Sequence, residues 1–298
     1  MCLQLQRKKI SKLGLNICKN DFTWQRRGMC LFHGSANLYH QFMLSDLASL
    51  GPLPIAAALV VGCVAGVVKG TTGFGVPMIF VSGLGSFLAP DIALAGLILP
   101  ALATNLLQAL RQGARAAVDS AWTHRIYLSM VMIFILLSSQ LVLSIPSAAL
   151  YLILGFTVTL FTMLQLAGWQ PKIAPNHRRQ AEFGIGGFAG ILGGLTGTWG
   201  PPTVMYLAAL DTPKLEHVRV QGVIYGAGAV VLTLAHLRSG VLTGTGLSLS
   251  LFLILPTFLG MAAGLAVQDR LDQDRFRLVV LIALTIAGLN LIRRALFG

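Results

Sequence analysis

Long apolar stretches separated by short polar connections fill this sequence from residue 52 to its end. A helix needs about 20 apolar residues to cross the roughly 30 Å of hydrocarbon in a bilayer. The candidate segments are Pro52–Val68, Thr71–Leu88, Ile92–Leu110, Ile126–Leu143, Ser147–Gly168, Phe183–Leu195, Pro201–Leu210, Val218–Leu237, Leu247–Val267 and Phe276–Leu296. Charged residues make up only 11% of the chain, too few to cover a soluble surface. The sequence therefore predicts an all-α polytopic membrane protein with 8–10 membrane segments.

The first 42 residues have a different character. Met1–Phe42 contains seven Lys and Arg residues and one acid, without an apolar period. No signal-peptide pattern follows the basic residues, and their scatter predicts no nucleic-acid partner. We expect a basic, disordered tail over 1–42, with Met43 as a candidate for the true start. The remaining chain is expected to form a first transmembrane repeat over 43–168, a cytoplasmic linker over 169–181 and a second repeat over 182–298.

An internal repeat relates the two halves at an offset of about 124 residues. GCVAGVVKGTTGFGVP, which begins at Gly62, aligns with GGFAGILGGLTGTWGP, which begins at Gly186. Each copy is expected to open its half as a broken pair of short helices. Interrupted segments at matching positions in two halves are typical of secondary transporters, whose binding site lies between the breaks. The sequence leaves open whether the repeats are inverted or parallel, and we favour inverted repeats.

The first break places polar and helix-breaking residues between apolar runs. Pro77 lacks an N–H and disfavours helix just before it, while glycines permit unusual backbone angles. A helix that starts after the break points its partial positive end at the gap, where bare N–H groups bind anions. Lys69 adds a full charge, which costs about 2.5–3.5 kcal/mol at mid-bilayer. These features predict an anion site in a water-filled cavity.

Polar residues of both halves are candidates to bind the anion. The candidates are Lys69, Gly70, Thr71, Thr72, Gly73, Gly75, Asn105, Gln108, Thr196, Gly197, Thr198, Trp199, Gly200, Gln221 and Tyr225, with structural breaks at Pro77, Pro201 and Pro202. Packing remains an alternative for the glycines spaced by four residues, and snorkelling to an interface remains one for Lys69. We expect the partners to be a small anion and the bilayer; a homo-oligomer is compatible with the sequence. The four cysteines lack metal-ligand spacing, so no metal or cofactor is expected.

Two cationic connections indicate the orientation, because loops rich in Lys and Arg stay cytoplasmic. They contain Arg111, Arg115 and Arg125, and Lys172, Arg178 and Arg179. Arg293 and Arg294 near the C-terminus would be cytoplasmic if each broken pair crosses once, and external if every segment crosses. We expect the protein in the bacterial inner membrane.

These motifs resemble a known family. KGTTGFGVP from Lys69, GGLTGTWGPPTVMYLAAL from Gly193 and the later Arg219 are similar to the TauE/SafE sulfite exporter family, also called the sulfonate uptake permeases. The resemblance covers about Pro52–Leu296. It implies a transporter that moves sulfite, a sulfonate or a related organic acid across the cytoplasmic membrane, rather than an enzyme. The long basic tail departs from the family pattern.

A cation channel and a membrane enzyme are the alternative functions. TTGFG, over Thr71–Gly75, is similar to the TVGYG filter of potassium channels, although Lys69 would repel a cation and the second copy loses the pattern. A membrane enzyme would need facing acids, histidines or nucleophiles. All ten acids are expected in loops, helix ends or the tail, with no buried carboxylate, and His236 is expected at an interface. Coupling to protons through a buried acid is therefore not anticipated.

Overall fold

The computed structural model describes residues 45–48, 50–168, 172–267 and 273–297. From Asp46 onward the described residues form one compact unit. Its helices are α1 Pro52–Thr72, α2 Val76–Leu84, α3 Pro90–Leu110, α4 Ala114–Thr123, α5 Arg125–Ser139, α6 Ser147–Leu166, α7 Arg178–Thr196, α8 Gly200–Ala209, α9 Lys214–Ser239, α10 Gly244–Val267 and α11 Gln273–Phe297. The described residues contain no strand. The expected tail over 1–42 lies outside the described residues.

Seven helices of the described part are long and apolar enough to cross a membrane. They correspond to α1, α3, α5 with the short helical turn after it, α6, α9, α10 and α11. Large apolar side chains such as Leu234, Leu255 and Leu259 are more than half exposed on the outside of the bundle, as lipid contact requires. This confirms the predicted all-α multi-pass membrane protein. The additional segments in the predicted 8–10 are α7 and the short helices α2 and α8.

Helices α1 and α2 form a hairpin, named here the first hairpin. Along α1, a side chain at Gly62 would touch Leu253, and one at Gly70 would meet the backbone of Leu265, so α1 runs parallel to α10. Helix α2 then turns back, because a side chain at Gly83 would meet Val61 of α1. The chain therefore enters beside the start of α10 and returns toward the same end of the bundle.

Helices α7 and α8 form the second hairpin in the same way. A side chain at Gly186 would meet Tyr127, and one at Gly194 would meet Ser138, so α7 runs parallel to α5. Helix α8 returns toward the start of α7, since the Tyr206 hydroxyl donates a hydrogen bond to Glu182, 2.9 Å away. Both hairpins pack through glycine because side chains there would overlap the neighbouring backbone.

The two hairpins enter the bundle from opposite ends. At one end, Arg178 lies against the carbonyl of Thr123 at 3.5 Å, and Arg219 donates to Ser120 at 2.8 Å. We call this the cationic end, because both Arg- and Lys-rich connections lie there. At the other end, named the opposite end, Arg294 donates to the carbonyl of Gly85 at 2.7 Å. The second hairpin begins at the cationic end, whereas the first returns to the opposite end.

Each hairpin packs on a helix from the other half of the chain. Helix α1 packs on α10, and α7 packs on α5. Between the halves, α3 packs on α9 and α6 packs on α11. These four pairings are unchanged when the two halves are exchanged.

One detail of the sequence prediction is wrong. The first helix of each broken pair was expected to be short, but α1 has 21 residues and α7 has 19. The helices continue because Lys69, Thr71 and Thr72 are compatible with helix, and the backbone leaves helical geometry only at the following glycines. Within the two pairs, only the second helices are short: α2 has 9 residues and α8 has 10.

Candidate functional site

Glycines in left-handed backbone conformation end α1 and α7. Gly73 has φ of +79° and donates its N–H to the carbonyl of Lys69 at 2.8 Å. Gly197 has φ of +69° and donates in the same way to Gly193. Gly75, with φ of +99°, starts α2. Because residues with a Cβ disfavour this conformation, the glycines fix both helix ends and the reversal of the chain.

A pocket lies between the two breaks. It holds about 360 Å³ of empty space, its open side included. Its walls are formed by Lys69, Phe74, Gly75, Pro77, Met78, Asn105, Thr198, Trp199, Gly200, Pro201 and Tyr225. Helices α3 and α9 contribute Asn105 and Tyr225, and the two hairpins contribute the rest. The pocket thus brings both repeats to one place.

Lys69 is the charged residue of this pocket. Its side chain is only 3% exposed, and its ammonium donates to Asn105 Oδ1 at 2.5 Å and to Gln108 Oε1 at 2.7 Å. The ammonium has three hydrogens, so one remains for another acceptor. No Asp or Glu is among the described residues that line the pocket. The positive charge is therefore buried with neutral partners and without a counter-charge.

Threonine hydroxyls near the ends of α1 and α7 bond to carbonyls of their own helices. Thr71 and Thr72 both donate to the carbonyl of Val68, at 2.9 and 2.7 Å. Thr196 donates to the carbonyl of Leu192 at 2.7 Å. Each of these hydroxyls has a single hydrogen, so in this structure it is used within the helix and is not open to a ligand.

Two nitrogen donors beside the pocket have no hydrogen-bond partner within the described part of the chain. They are Trp199 Nε1 and Gln108 Nε2, and both are buried. Backbone donors are fewer at the starts of α2 and α8, because Pro77, Pro201 and Pro202 have no N–H. The donors available at the breaks are therefore side-chain groups more than backbone N–H groups, in contrast to the expectation from the sequence.

The structure brings together nine of the residues singled out from the sequence. Lining the pocket are Lys69, Gly75, Pro77, Asn105, Thr198, Trp199, Gly200, Pro201 and Tyr225. Outside its walls lie Gly70, Thr71, Thr72, Gly73, Gln108, Thr196, Gly197, Pro202 and Gln221. Although Gln108 is not in the pocket wall, its Oε1 accepts a hydrogen bond from the Lys69 ammonium. Gln221 donates to the Tyr225 hydroxyl, which in turn donates to the carbonyl of Gly200.

Gly70 belongs to helix packing instead of the pocket, because a side chain there would overlap the backbone of α10 at Met261. Phe74 and Met78 line the pocket without having been proposed as binding residues. Their positions in and just after the interrupted stretch were the sequence signal that could have identified them as pocket residues. Both are apolar, so they shape the pocket without adding acceptors.

One expectation about ionisable groups is wrong: Glu182 was expected to be unburied, but it is 4% exposed and bonded to Tyr206 and Arg178. His236 is buried within the protein, with Nε2 3.2 Å from the carbonyl of Gly194 near the end of α7. Its expected place at the membrane interface stays a prediction. Both lie near polar ends of helices in sequence, and the second hairpin covers them in the fold.

Residues 58–291 match the family model described as sulfite exporter TauE/SafE. The chain belongs to this family. Comparison with curated proteins found no match, and comparison with solved structures found none either. TauE/SafE proteins are membrane transporters, so the chain is a multi-pass membrane transporter. The membership predicted from the Gly-Pro breaks is confirmed.

The alternatives from the sequence find little support in this geometry. A potassium filter needs carbonyl oxygens free to replace water around the ion, whereas Thr72 donates to the carbonyl of Phe74 within TTGFG and buried Lys69 lies beside this stretch. An enzyme of this family is not indicated, since the family consists of transporters.

Proposed function

We propose that the protein moves a small oxyanion, such as sulfite, a sulfonate or a related organic acid, across the cytoplasmic membrane. The anion binds in the pocket between the two breaks, with Lys69 as its counter-charge. One observation carries the proposal: Lys69 is buried in a pocket whose described walls contain no carboxylate. Membership of a sulfite exporter family supports the substrate class.

The energetics of burial support an anion as the missing partner. A buried charge costs several kcal/mol unless another group pairs with it. The amide oxygens of Asn105 and Gln108 supply partial negative charge only. An oxyanion entering the pocket would pair with the third hydrogen of the ammonium, and the unpartnered indole N–H of Trp199 lies on the other wall. A cation would meet repulsion from the Lys69 ammonium.

Alternating access is the proposed mechanism. The two hairpins enter from opposite ends, as in transporters built from inverted repeats. Helix α3 contacts both hairpins, because Asn105 holds Lys69 while Leu97 packs against Gly197. Movement of one hairpin against the other, along α3, would open the pocket to one side and then to the other.

The proposed location is the bacterial inner membrane, with the cationic end in the cytoplasm. Arg and Lys residues are more numerous at the cationic end than at the opposite end, where Arg293 and Arg294 lie, and such a bias sets orientation. Arg293 and Arg294 would then be external. Lipid is the proposed partner of the exposed leucines on the outside of the bundle, and association with further copies of the chain is an open part of the proposal.

Flux through the purified chain tests this function. Proteoliposomes holding the protein would be given labelled sulfite or a small labelled sulfonate, with potassium flux measured as the control. Saturable uptake of either anion, with no potassium flux, is the expected result. Potassium flux without anion flux would overturn the proposal in favour of a cation filter. An absence of both fluxes would exclude these substrates.

A further inference from the structure

A cluster of titratable side chains lies at the cationic end of the second hairpin, apart from the anion pocket. Glu182 of α7 accepts hydrogen bonds from Arg178 Nε at 3.0 Å and from the Tyr206 hydroxyl at 2.9 Å. His124, at the junction of α4 and α5, places Nδ1 3.0 Å from the same hydroxyl. His124 and Glu182 are 3% and 4% exposed, respectively. These contacts form a continuous path from His124 through Tyr206 to Glu182.

The hydrogen-bond directions along this path are determined by counting protons. The Tyr206 hydroxyl has one hydrogen, which it donates to Glu182 Oε1. The imidazole Nδ1 of His124 must then carry a hydrogen and donate it to the Tyr206 oxygen. His124 Nε2 makes no hydrogen bond within the described part of the chain. In a neutral imidazole with its hydrogen on Nδ1, Nε2 is free to accept a proton.

The same heavy atoms can hold one further proton without moving. A proton binds at His124 Nε2, the Nδ1 hydrogen passes to the Tyr206 oxygen, and the original Tyr206 hydrogen passes to Glu182 Oε1. The result is a neutral Glu182 carboxylic acid, an intact Tyr206 hydroxyl and a neutral His124. One proton has been gained and the cluster has lost one negative charge. Release of the proton runs through the same steps in reverse.

We propose that His124, Tyr206 and Glu182 form a proton-binding relay that couples anion transport to proton movement in the same direction. The inference rests on the proposed function and names its coupling ion. It concerns a buried carboxylate that the anion pocket does not use.

Helix α8 connects the relay to the pocket mechanically. Tyr206 lies near its end, whereas Gly200 and Pro201 at its start line the pocket, and six residues of helix span about 9 Å. Tyr127 stacks on Tyr206, with ring centroids 4.2 Å apart, and bonds to Thr203 of the same helix. Protonation replaces the charge-assisted hydrogen bond between Tyr206 of α8 and the Glu182 carboxylate of α7 by a weaker neutral one, so it changes what holds α8 in place. It also removes a negative charge from the hairpin that binds the anion, which favours joint movement of proton and anion.

The surroundings of His124 suit this role. Burial lowers the pKa of His124, and Arg178 of α7 lowers it further, while Glu182 and Glu216 of α9 oppose the shift. The imidazole is therefore neutral near pH 7, as the first state of the relay requires. Tyr206 of α8 and Tyr127 of α5 are further titratable groups of the cluster, and Arg219 of α9 donates to Ser120, one turn before His124.

The test counts protons and anions together. Proteoliposomes with the full chain would enclose a pH-sensitive dye and take up labelled sulfite from an acidic medium. Sulfite carries some protons itself, equally in every variant, so differences between variants report protons that the protein carries. Glu182→Gln cannot bind a proton, and Tyr206→Phe keeps the ring stacking but breaks the path. We expect each to carry one proton fewer per sulfite than the wild type.

Two controls separate loss of coupling from loss of fold. Tyr151→Phe removes another buried hydroxyl, bonded to the carbonyl of Leu88, and should leave the ratio of protons to sulfite unchanged. Glu182→Gln should still exchange labelled for unlabelled sulfite at equal pH, because the amide stands in for the protonated carboxyl outside the pocket. In infrared spectra, a protonated carboxyl band that grows on acidification should be absent from Glu182→Gln.

Three results would overturn the inference. Equal ratios of protons to sulfite in the wild type, Glu182→Gln and Tyr206→Phe would exclude the relay while leaving the anion transporter intact. An unchanged infrared band in Glu182→Gln would also exclude it, independently of transport. A wild-type chain without any anion flux would remove the proposed function, and the relay with it.

Discussion

Replacing Lys69 with methionine tests the anion pocket directly. Lys69→Met keeps an unbranched chain of similar length but removes the charge, so the anion loses its counter-charge. The variant should still fold, because a buried charge that costs about 2.5–3.5 kcal/mol in a membrane is removed together with the hydrogen bonds to Asn105 and Gln108. Transport, and not insertion, is the property expected to fail.

The size of the effect follows from the geometry. A hydrogen bond to a charged group contributes about 1.5–3 kcal/mol, and two unit charges 4 Å apart near a protein surface interact by about 4 kcal/mol before desolvation. A net loss of about 2–3 kcal/mol is therefore expected, which lowers kcat/KM about 30- to 150-fold. Lys69→Arg keeps the charge but not the compact ammonium geometry, and should lose less.

Initial rates of labelled sulfite uptake into proteoliposomes measure this loss. Lys172→Met makes the same chemical change at an exposed lysine and serves as the matched control, with rates near those of the wild type. A Lys69→Met chain that inserts normally and transports sulfite with unchanged kcat/KM would refute the assignment of Lys69 as counter-charge.

Two further predictions concern packing and donors. Gly66→Leu should reduce the yield of monodisperse protein and its Tm, since a side chain there overlaps the backbone at Thr257 and overpacking costs about 1–3 kcal/mol. The control Val64→Leu, at a half-exposed position of the same helix, should behave as the wild type. Equal Tm values for Gly66→Leu and the wild type would contradict the close contact. Trp199→Phe removes the unpartnered indole N–H and should lower kcat/KM for sulfite about 2- to 13-fold. Trp122→Phe makes the same change at an exposed tryptophan and is the control. An unchanged kcat/KM in Trp199→Phe would mean that this N–H does not bind the anion.

Much of the fold was predictable because membrane burial leaves strong sequence signals. Apolar length located the helices, and the paired Gly-Pro breaks located both turns of the backbone. Gly73 and Gly197 adopt positive φ at aligned positions, as glycine at a sharp helix end suggests. Lys69 was conspicuous because a lone charge between apolar runs needs a reason.

Segment length could not distinguish a crossing helix from one arm of a hairpin. Helix α1 is long enough to cross, yet α2 turns back along it, and only the contact of Gly83 with Val61 shows this. The return of the chain depends on packing between halves, which no local pattern encodes. Counting segments as crossings therefore failed to determine the orientation of the C-terminus.

Glu182 was missed for a related reason. It follows Arg178 and Arg179 at the start of a helix, where an acid is ordinarily solvated. The spacing of Arg178 and Glu182 by four residues was an available signal for a pair on one helix face. Its burial, however, depends on Tyr206 of the returning helix α8, so it became visible only with the tertiary structure.

The pairing of each hairpin with a helix of the opposite half has a consequence for biogenesis. Helix α1 leaves the ribosome long before α10, the helix on which its glycines pack. Until α10 is made, the first hairpin, with Lys69, lies in the membrane without the helix on which α1 finally packs. The nascent chain must therefore pass through a long-lived, incompletely packed stage. A truncated first half should accordingly be degraded, whereas the two halves synthesised as separate chains in one cell should rescue each other.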